Sequence, residues 1–278
     1  MSRLPHTLTA AMLAGVMFAQ SLVLPLRPQG SLAGQAPKPA TTAAPAAMTV
    51  SAAPAAEQAA PAPAIEKGKT IFIDAGHGGW DPGAVHKGPD GTEDQLEKDA
   101  ALVVAQKLYN MLTADGYHVV LSRSSDAALT PNRSTPEELQ ARIDMANKAD
   151  ADLFISVHFN GSENKALRGT EVYYNADRPF SADNQRLAEQ VQAALVSNLR
   201  QAGYDTEDRG VKTDAPAGGF ALLAPANLAR PTRMPAIIGE PLFITNDQDA
   251  AALSQDSIRE ALARGYFQGV KAYFGDTQ

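Results

Sequence analysis

The chain has 278 residues, with 24 Lys and Arg against 31 Asp and Glu, five His, 44% hydrophobic residues and no cysteine. That length admits one ordinary domain with extensions or two small domains, and the missing cysteine excludes disulfides, thiolate zinc sites, iron–sulfur clusters and cysteine nucleophiles. A net charge of −7 argues against a nucleic-acid binder, whose affinity comes from Lys and Arg neutralising phosphates, and against an anionic membrane surface on the same ground.

The totals conceal a compositional split. Residues 8–26 carry no charge, follow Arg3 and precede Ser31-Leu32-Ala33, a small-x-small site for cleavage. Residues 1–33 therefore read as a secretory signal peptide, with an uncleaved single-span anchor as the alternative. Either way the remainder leaves the cytoplasm, for a periplasm, a cell wall or the medium, with no stable membrane insertion once the signal is removed. Residues 27–67 hold 15 Ala and 7 Pro, too little side chain to offset ordering entropy, so 34–67 reads as a disordered linker. Residues 68–278 remain, with 20 basic and 29 acidic side chains, net −9. They make one domain, large enough to bury roughly 70% of its unfolded surface.

Within it, short β-branched runs alternate with helical stretches, which predicts an α/β sheet with helices on its faces. Strands are expected at 70–74, 117–121, 153–158, 170–174 and 236–240, with a weaker one at 220–223. Residues 97–114 place Ala101, Val104, Leu108 and Met111 or Leu112 at helical spacing before a stop at Gly116. The next helix opens on Thr135-Pro136-Glu137-Glu138, read as a capping box, and runs through Leu139, Ile143 and Ala146. Helices at 181–201 and 254–274 complete the set, and no repeat at a fixed period is visible.

Four polar residues stand where a core argument does not place them. His77 lies in Asp74-Ala75-Gly76-His77-Gly78-Gly79-Trp80-Asp81-Pro82-Gly83 directly after the first strand, where glycines allow a sharp turn. No dinucleotide or P-loop pattern can be read in this loop. His158 ends the run 153–157, and Glu240 closes the strand at 236–240. All three occupy carboxyl ends of expected strands, where ligands bind in open α/β sheets. Glu97 shares the helical stripe of Ala101, Val104 and Leu108, and a carboxylate facing the core must be paired, neutralised or bound to metal. Its neighbour Glu93 competes for any role given to Glu97. Two histidines and a glutamate on separate elements form a set known for catalytic zinc with an open fourth position, and a second glutamate opposite would be the general base. Of the other histidines, His86 reads as a solvated loop residue, His118 as half-buried at a strand start, and His6 belongs to the signal segment.

These stretches resemble the zinc-dependent N-acetylmuramoyl-L-alanine amidases of the amidase-3 type. The matching residues are 73–79 with Asp81-Pro82-Gly83-Ala84, Glu97-Lys98-Asp99 with Leu102, Arg123 with Asp126, Arg142 with Ala146-Asn147, 151–160, 169–174, and Met234-Pro235-Ala236 through Glu240 to Asn246. The resemblance covers nearly the whole domain. It implies a mixed, mostly parallel twisted sheet flanked by helices on both faces, one Zn²⁺ held by His77, Glu97 and His158, and Glu240 as the catalytic carboxylate. The reaction it implies is cleavage of the amide between N-acetylmuramic acid and L-alanine of the stem peptide, in peptidoglycan or muropeptides. Two departures stand out. Thr92-Glu93-Asp94-Gln95 lengthens the interval between His77 and Glu97, and Pro241-Leu242-Phe243 replaces a small residue and glycine after Glu240. Some periplasmic members carry an inserted helix over the zinc; the short interval after Tyr174 leaves no room for one there, so an open site needing no protein activator is expected. A zinc exopeptidase on free peptides and a non-catalytic wall-binding regulator are the competing functions.

Overall fold

A computed structural model describes residues 68–224 and 228–276. Residues 1–33, read above as a signal segment and including His6, and residues 34–67, read as a linker, lie outside the described residues. Eight strands and five helices follow one another as β1 (Thr70–Ala75), β2 (Val85–Lys87), β3 (Glu93–Leu96), α1 (Glu97–Ala114), β4 (His118–Leu121), α2 (Thr135–Lys148), β5 (Leu153–Val157), β6 (Thr170–Tyr174), α3 (Ser181–Gln201), β7 (Asp208–Thr213), β8 (Ala236–Glu240), α4 (Asp247–Leu253) and α5 (Asp256–Phe274). Six strands form one sheet in the order β4-β1-β5-β8-β6-β7, and β2 and β3 form a separate hairpin. Every pairing in the large sheet is parallel except β8 with β6, so the sheet is mixed and mostly parallel as expected.

The central strands are apolar on both faces because both faces are covered. Alternation sends Ile71, Ile73, Leu153, Ile155, Val157 and Ile237 into one cluster with buried residues of α1, α3 and α5. The intervening Phe72, Phe154, Ala236 and Ile238 enter a second cluster with Ile143 and Ala146 of α2 and with Leu222, Leu223 and Met234. Three helices thus cover one face, while one helix and the segment before β8 cover the other.

Several local expectations need correction. Residues 220–223 form a turn, closed by Leu223 N–H donating to the Phe220 carbonyl at 2.9 Å; Leu222 and Leu223 are buried without any strand pairing. The capping box at α2 does not form. Ser134 is the N-cap and its side chain makes no capping bond, while the Glu138 carboxylate accepts from Leu129 N at 3.1 Å and Thr130 N at 2.8 Å. The last helix begins at Asp256 after the separate α4, whose Asn246 side chain accepts from the backbone of Gln248 and Asp249. His118 is exposed because β4 is an edge strand. His86 is buried on β2, held at 2.6 Å from Asp94 and 3.2 Å from Asp247. No described helix is long and apolar enough to cross a membrane.

Candidate active site

Strands β1, β5 and β8 are neighbours and parallel, so the residues at their carboxyl ends converge. His77 follows β1 by two residues, His158 follows β5 directly, and Glu240 ends β8. The backbone ties them closely: His158 N–H donates to the Gly239 carbonyl at 3.0 Å. Glu97 reaches the same point from the first turn of α1, where it is 4% exposed.

Two buried arginines shape the loop that carries His77. Arg123 donates from Nε to the Ala75 carbonyl at 3.0 Å and from Nη2 to the Gly76 carbonyl at 2.8 Å. Arg142 donates to the carbonyls of Ala75 at 2.8 Å and His77 at 2.7 Å, and pairs with the buried Asp74 carboxylate. Asp74 also accepts from the Ser156 hydroxyl at 2.7 Å. Burial opposes its charge, and the Arg142 guanidinium, His158 and Ser156 outweigh that, holding the carboxyl below its ordinary value. Such a clamp is needed, because His77 itself has φ +58°, a left-handed conformation that a residue with a Cβ rarely adopts.

The glycines flanking His77 leave space for the other members of the group. A Cβ on Gly76 would lie 2.5 Å from His158 Nε2, and one on Gly83 would lie 2.5 Å from Glu97 Oε2 and 2.7 Å from His77 Cδ2. Side chains at either position would displace the residues around the site, so the loop's glycine content follows from close approach as much as from turning.

Three ligand-type atoms form a nearly equilateral triangle. His77 Nε2 is 3.1 Å from His158 Nδ1 and 3.1 Å from Glu97 Oε1, and His158 Nδ1 is 2.9 Å from Glu97 Oε1. The group satisfies the geometry for holding a metal ion. In a tetrahedral site with bonds of about 2.0–2.2 Å, ligand atoms stand about 3.3–3.6 Å apart, so the triangle is within a few tenths of an ångström of one face of such a site. The donor set, two imidazoles and one carboxylate, suits zinc with an open position. His77 Nδ1 is 2.8 Å from Asp81 Oδ2, where a carboxylate can fix the orientation of the imidazole, and Glu97 is fixed by backbone N–H groups of Ala84 at 2.7 Å and Phe159 at 3.0 Å.

These groups stabilise one another's charge by pairing. Burial acts to lower the His77 pKa, but the Glu97 carboxylate and the bond to Asp81 prevail and raise it to about 10. Burial acts to raise Glu97, and His77 with His158 prevails, holding it far below the ordinary carboxylate range.

Glu240 differs from both. It is 9% exposed, and its Oε2 is buried with no hydrogen-bond partner among the described residues. Burial, followed by the like charge of Glu97, pushes its pKa well above the ordinary value. Glu93, the competitor of Glu97, stands apart: its side chain is 59% exposed and 4.0 Å from Lys87.

Sequence reasoning did not single out Glu171, Arg209 and Lys212. Glu171 pairs in register with Glu240 across the antiparallel β6 and β8, and its buried carboxylate receives Arg209 and Lys212 from β7. A charged residue within the strand Thr170-Glu171-Val172 was the available signal.

A family model described as N-acetylmuramoyl-L-alanine amidase matches residues 71–272. The chain belongs to this family. The N-acetylmuramoyl-L-alanine amidase LytC of Bacillus subtilis is 37% identical over 207 residues, covering 74% of this chain and 36% of that relative. YqiI of the same organism, an uncharacterized protein, is 35% identical over 209 residues, covering 75% of this chain and 86% of its own length. The catalytic domain of CwlV, an amidase from Paenibacillus polymyxa, superposes with a TM-score of 0.60 at 29% identity, over 75% of this chain and 99% of that domain. This amidase chain therefore spans about a third of the length of LytC, and its match to CwlV falls on the catalytic domain.

Proposed function

We propose that the chain is an exported peptidoglycan hydrolase that cleaves the amide between N-acetylmuramic acid and L-alanine of the stem peptide. The observation that carries this reading is the buried triangle of His77, Glu97 and His158 beside Glu240, whose Oε2 lacks a partner, in a chain of the amidase family. His77, Glu97 and His158 would hold one zinc ion. The chemistry supplied by zinc there is Lewis acidity, acting on water and on the scissile carbonyl. Glu240 takes the proton of the attacking water and returns it to the amide nitrogen as the C–N bond breaks, freeing the alanine amine. Its raised pKa favours holding the proton between the two transfers. Asp81 keeps Nδ1 of His77 protonated, directing Nε2 inward.

Export rests on the signal-like residues 1–33 followed by the Ala/Pro linker, and cell-wall action is in keeping with relatives named as cell wall amidases. Only residues 175–180 separate β6 from α3, which supports a site that needs no activator.

The test is to incubate the zinc-loaded chain with purified sacculi and identify released fragments by mass spectrometry. Intact glycan strands with stem peptides beginning at L-alanine are expected. Cuts within the peptide would favour the exopeptidase reading, and binding without release the regulator reading.

A further inference from the structure

The sheet end that carries Glu240 also carries a positive pair that the hydrolytic reading does not use. β6 runs antiparallel to β8 and places Glu171 opposite Glu240. β7 runs parallel to β6 and brings Asp208 and Arg209 to the same end. Glu171 Oε1 accepts from Asn160 at 2.7 Å and from the Tyr173 hydroxyl at 2.8 Å, while Oε2 receives Arg209 Nε at 2.7 Å and also Lys212 Nζ. The buried carboxylate of Glu171 is met by two cations, and Arg209 also pairs at 3.7 Å with the exposed Glu207.

Both cations are accessible. The Arg209 and Lys212 side chains are 20% and 34% exposed, and β7 is the edge strand, with no strand beyond it. Arg209 commits only Nε to Glu171; its Nη1 stands 3.7 Å from the exposed Glu207, outside hydrogen-bond reach, and Nη2 has no bonding partner among the described residues. In a domain of net charge −9, these two part-exposed side chains offer an anionic substrate group a cationic contact at the sheet end that carries Glu240. A guanidinium held over the Phe243 ring at 5.0 Å, with its outer nitrogens making no hydrogen bond among the described residues, is suited to capture of a carboxylate.

We propose that Arg209 and Lys212 bind a free carboxylate of the stem peptide, on the leaving side of the scissile amide, and so select for peptides that carry it. This rests on the amidase reading above. The carboxylates nearest that bond belong to the second residue, a glutamate linked through its side chain, and to the third residue where that is a diamino diacid. Either is removed chemically by amidation. The side-chain geometry makes Arg209 a specificity-determining residue, with Glu171 holding it in place.

The experiment measures binding by calorimetry of muropeptides to the zinc-loaded E240Q chain, using the all-carboxylate form and forms amidated at the second or at the third residue. Amidation at the recognised position is expected to weaken binding by about 10- to 100-fold, the range of a charge-assisted hydrogen bond. E240Q/R209M should lose that factor on the free form and bind free and amidated forms alike; R209K should regain part of it. The position whose amidation carries the effect identifies the source. Equal loss on free and amidated forms would overturn the proposal, because Arg209 would then act only through Glu171; so would an Arg209-intact chain indifferent to both amidations. K212M, on a more exposed side chain, gives the same comparison should R209M fold poorly. Cleavage by the chain with Glu240 intact is scored in parallel: no alanine-terminated product refutes the amidase reading itself, whereas product without preference refutes the carboxylate site alone.

Discussion

Replacing Arg142 by methionine isolates the device that holds the His77 loop. The guanidinium is 4% exposed and its partner Asp74 is fully buried, so the substitution leaves a carboxylate in the core with the Ser156 hydroxyl as its remaining side-chain hydrogen-bond donor. Breaking a buried pair in this way costs about 3–5 kcal/mol, a large fraction of the roughly 5–15 kcal/mol that stabilises a domain. Two carbonyl acceptors also lose a donor. Ala75 keeps Arg123 at 3.0 Å, but the His77 carbonyl loses the 2.7 Å bond from Arg142 that restrains a left-handed residue. The expected outcome is a large fall in the urea midpoint of the metal-free chain, together with about 10- to 100-fold weaker zinc binding. Adding D74N removes the stranded charge, so D74N/R142M should be more stable than R142M by at least about 1 kcal/mol. Equilibrium urea unfolding, followed by far-UV circular dichroism, measures both. A midpoint for R142M within error of the parent, or a double variant no better than R142M, would refute the clamp.

Two further outcomes follow from the same geometry. The His77 pKa is raised from 6.5 to about 10 in the metal-free chain, so its contribution to stability is fully present below about pH 6.5 and is lost as pH rises through 10. Unfolding midpoints of the metal-free chain should fall over that window more steeply than those of H77Q, and zinc uptake near pH 7 should release protons detectable by calorimetry in buffers of differing ionisation enthalpy; equal slopes would reject the assignment. Gly239→Ala would place a Cβ 2.7 Å from Cζ of the buried Tyr266, an overpacking expected to cost about 1–3 kcal/mol and to disturb the backbone one residue before Glu240. Differential scanning calorimetry checks the first effect, and an unchanged melting temperature would count against the close packing.

The central sheet and the chemistry at its end were legible because they obey simple rules. Strands β1, β5 and β8 read as continuous apolar runs since both faces are buried, and a polar residue at the end of such a run stands out. Glu97 was recognisable from its place on an apolar helical stripe. What escaped was polar and peripheral. β7, with the sequence Asp208-Arg209-Gly210-Val211-Lys212-Thr213, is an edge strand whose charges face solvent or Glu171, so it carries no apolar alternation. The β2–β3 hairpin is likewise largely exposed, and it converts what read as a loop insertion into a strand that buries His86. In contrast, 220–223 looked like a strand because four apolar residues in a row do not reveal whether their backbone bonds are local or across a sheet. Asp74 was the missed opportunity: an acidic residue inside Thr70-Ile71-Phe72-Ile73-Asp74 requires a buried cation, and Arg142 meets that need.

In the proposed mechanism His77, Glu97 and His158 would hold zinc and Glu240 would move protons. Zinc content and turnover measured side by side on E240Q and H158A test that division most directly. E240Q should retain one zinc per chain by atomic spectroscopy while releasing no stem peptide, and H158A should lose both. An E240Q chain that still cleaves, or that loses its zinc along with its activity, would contradict the account.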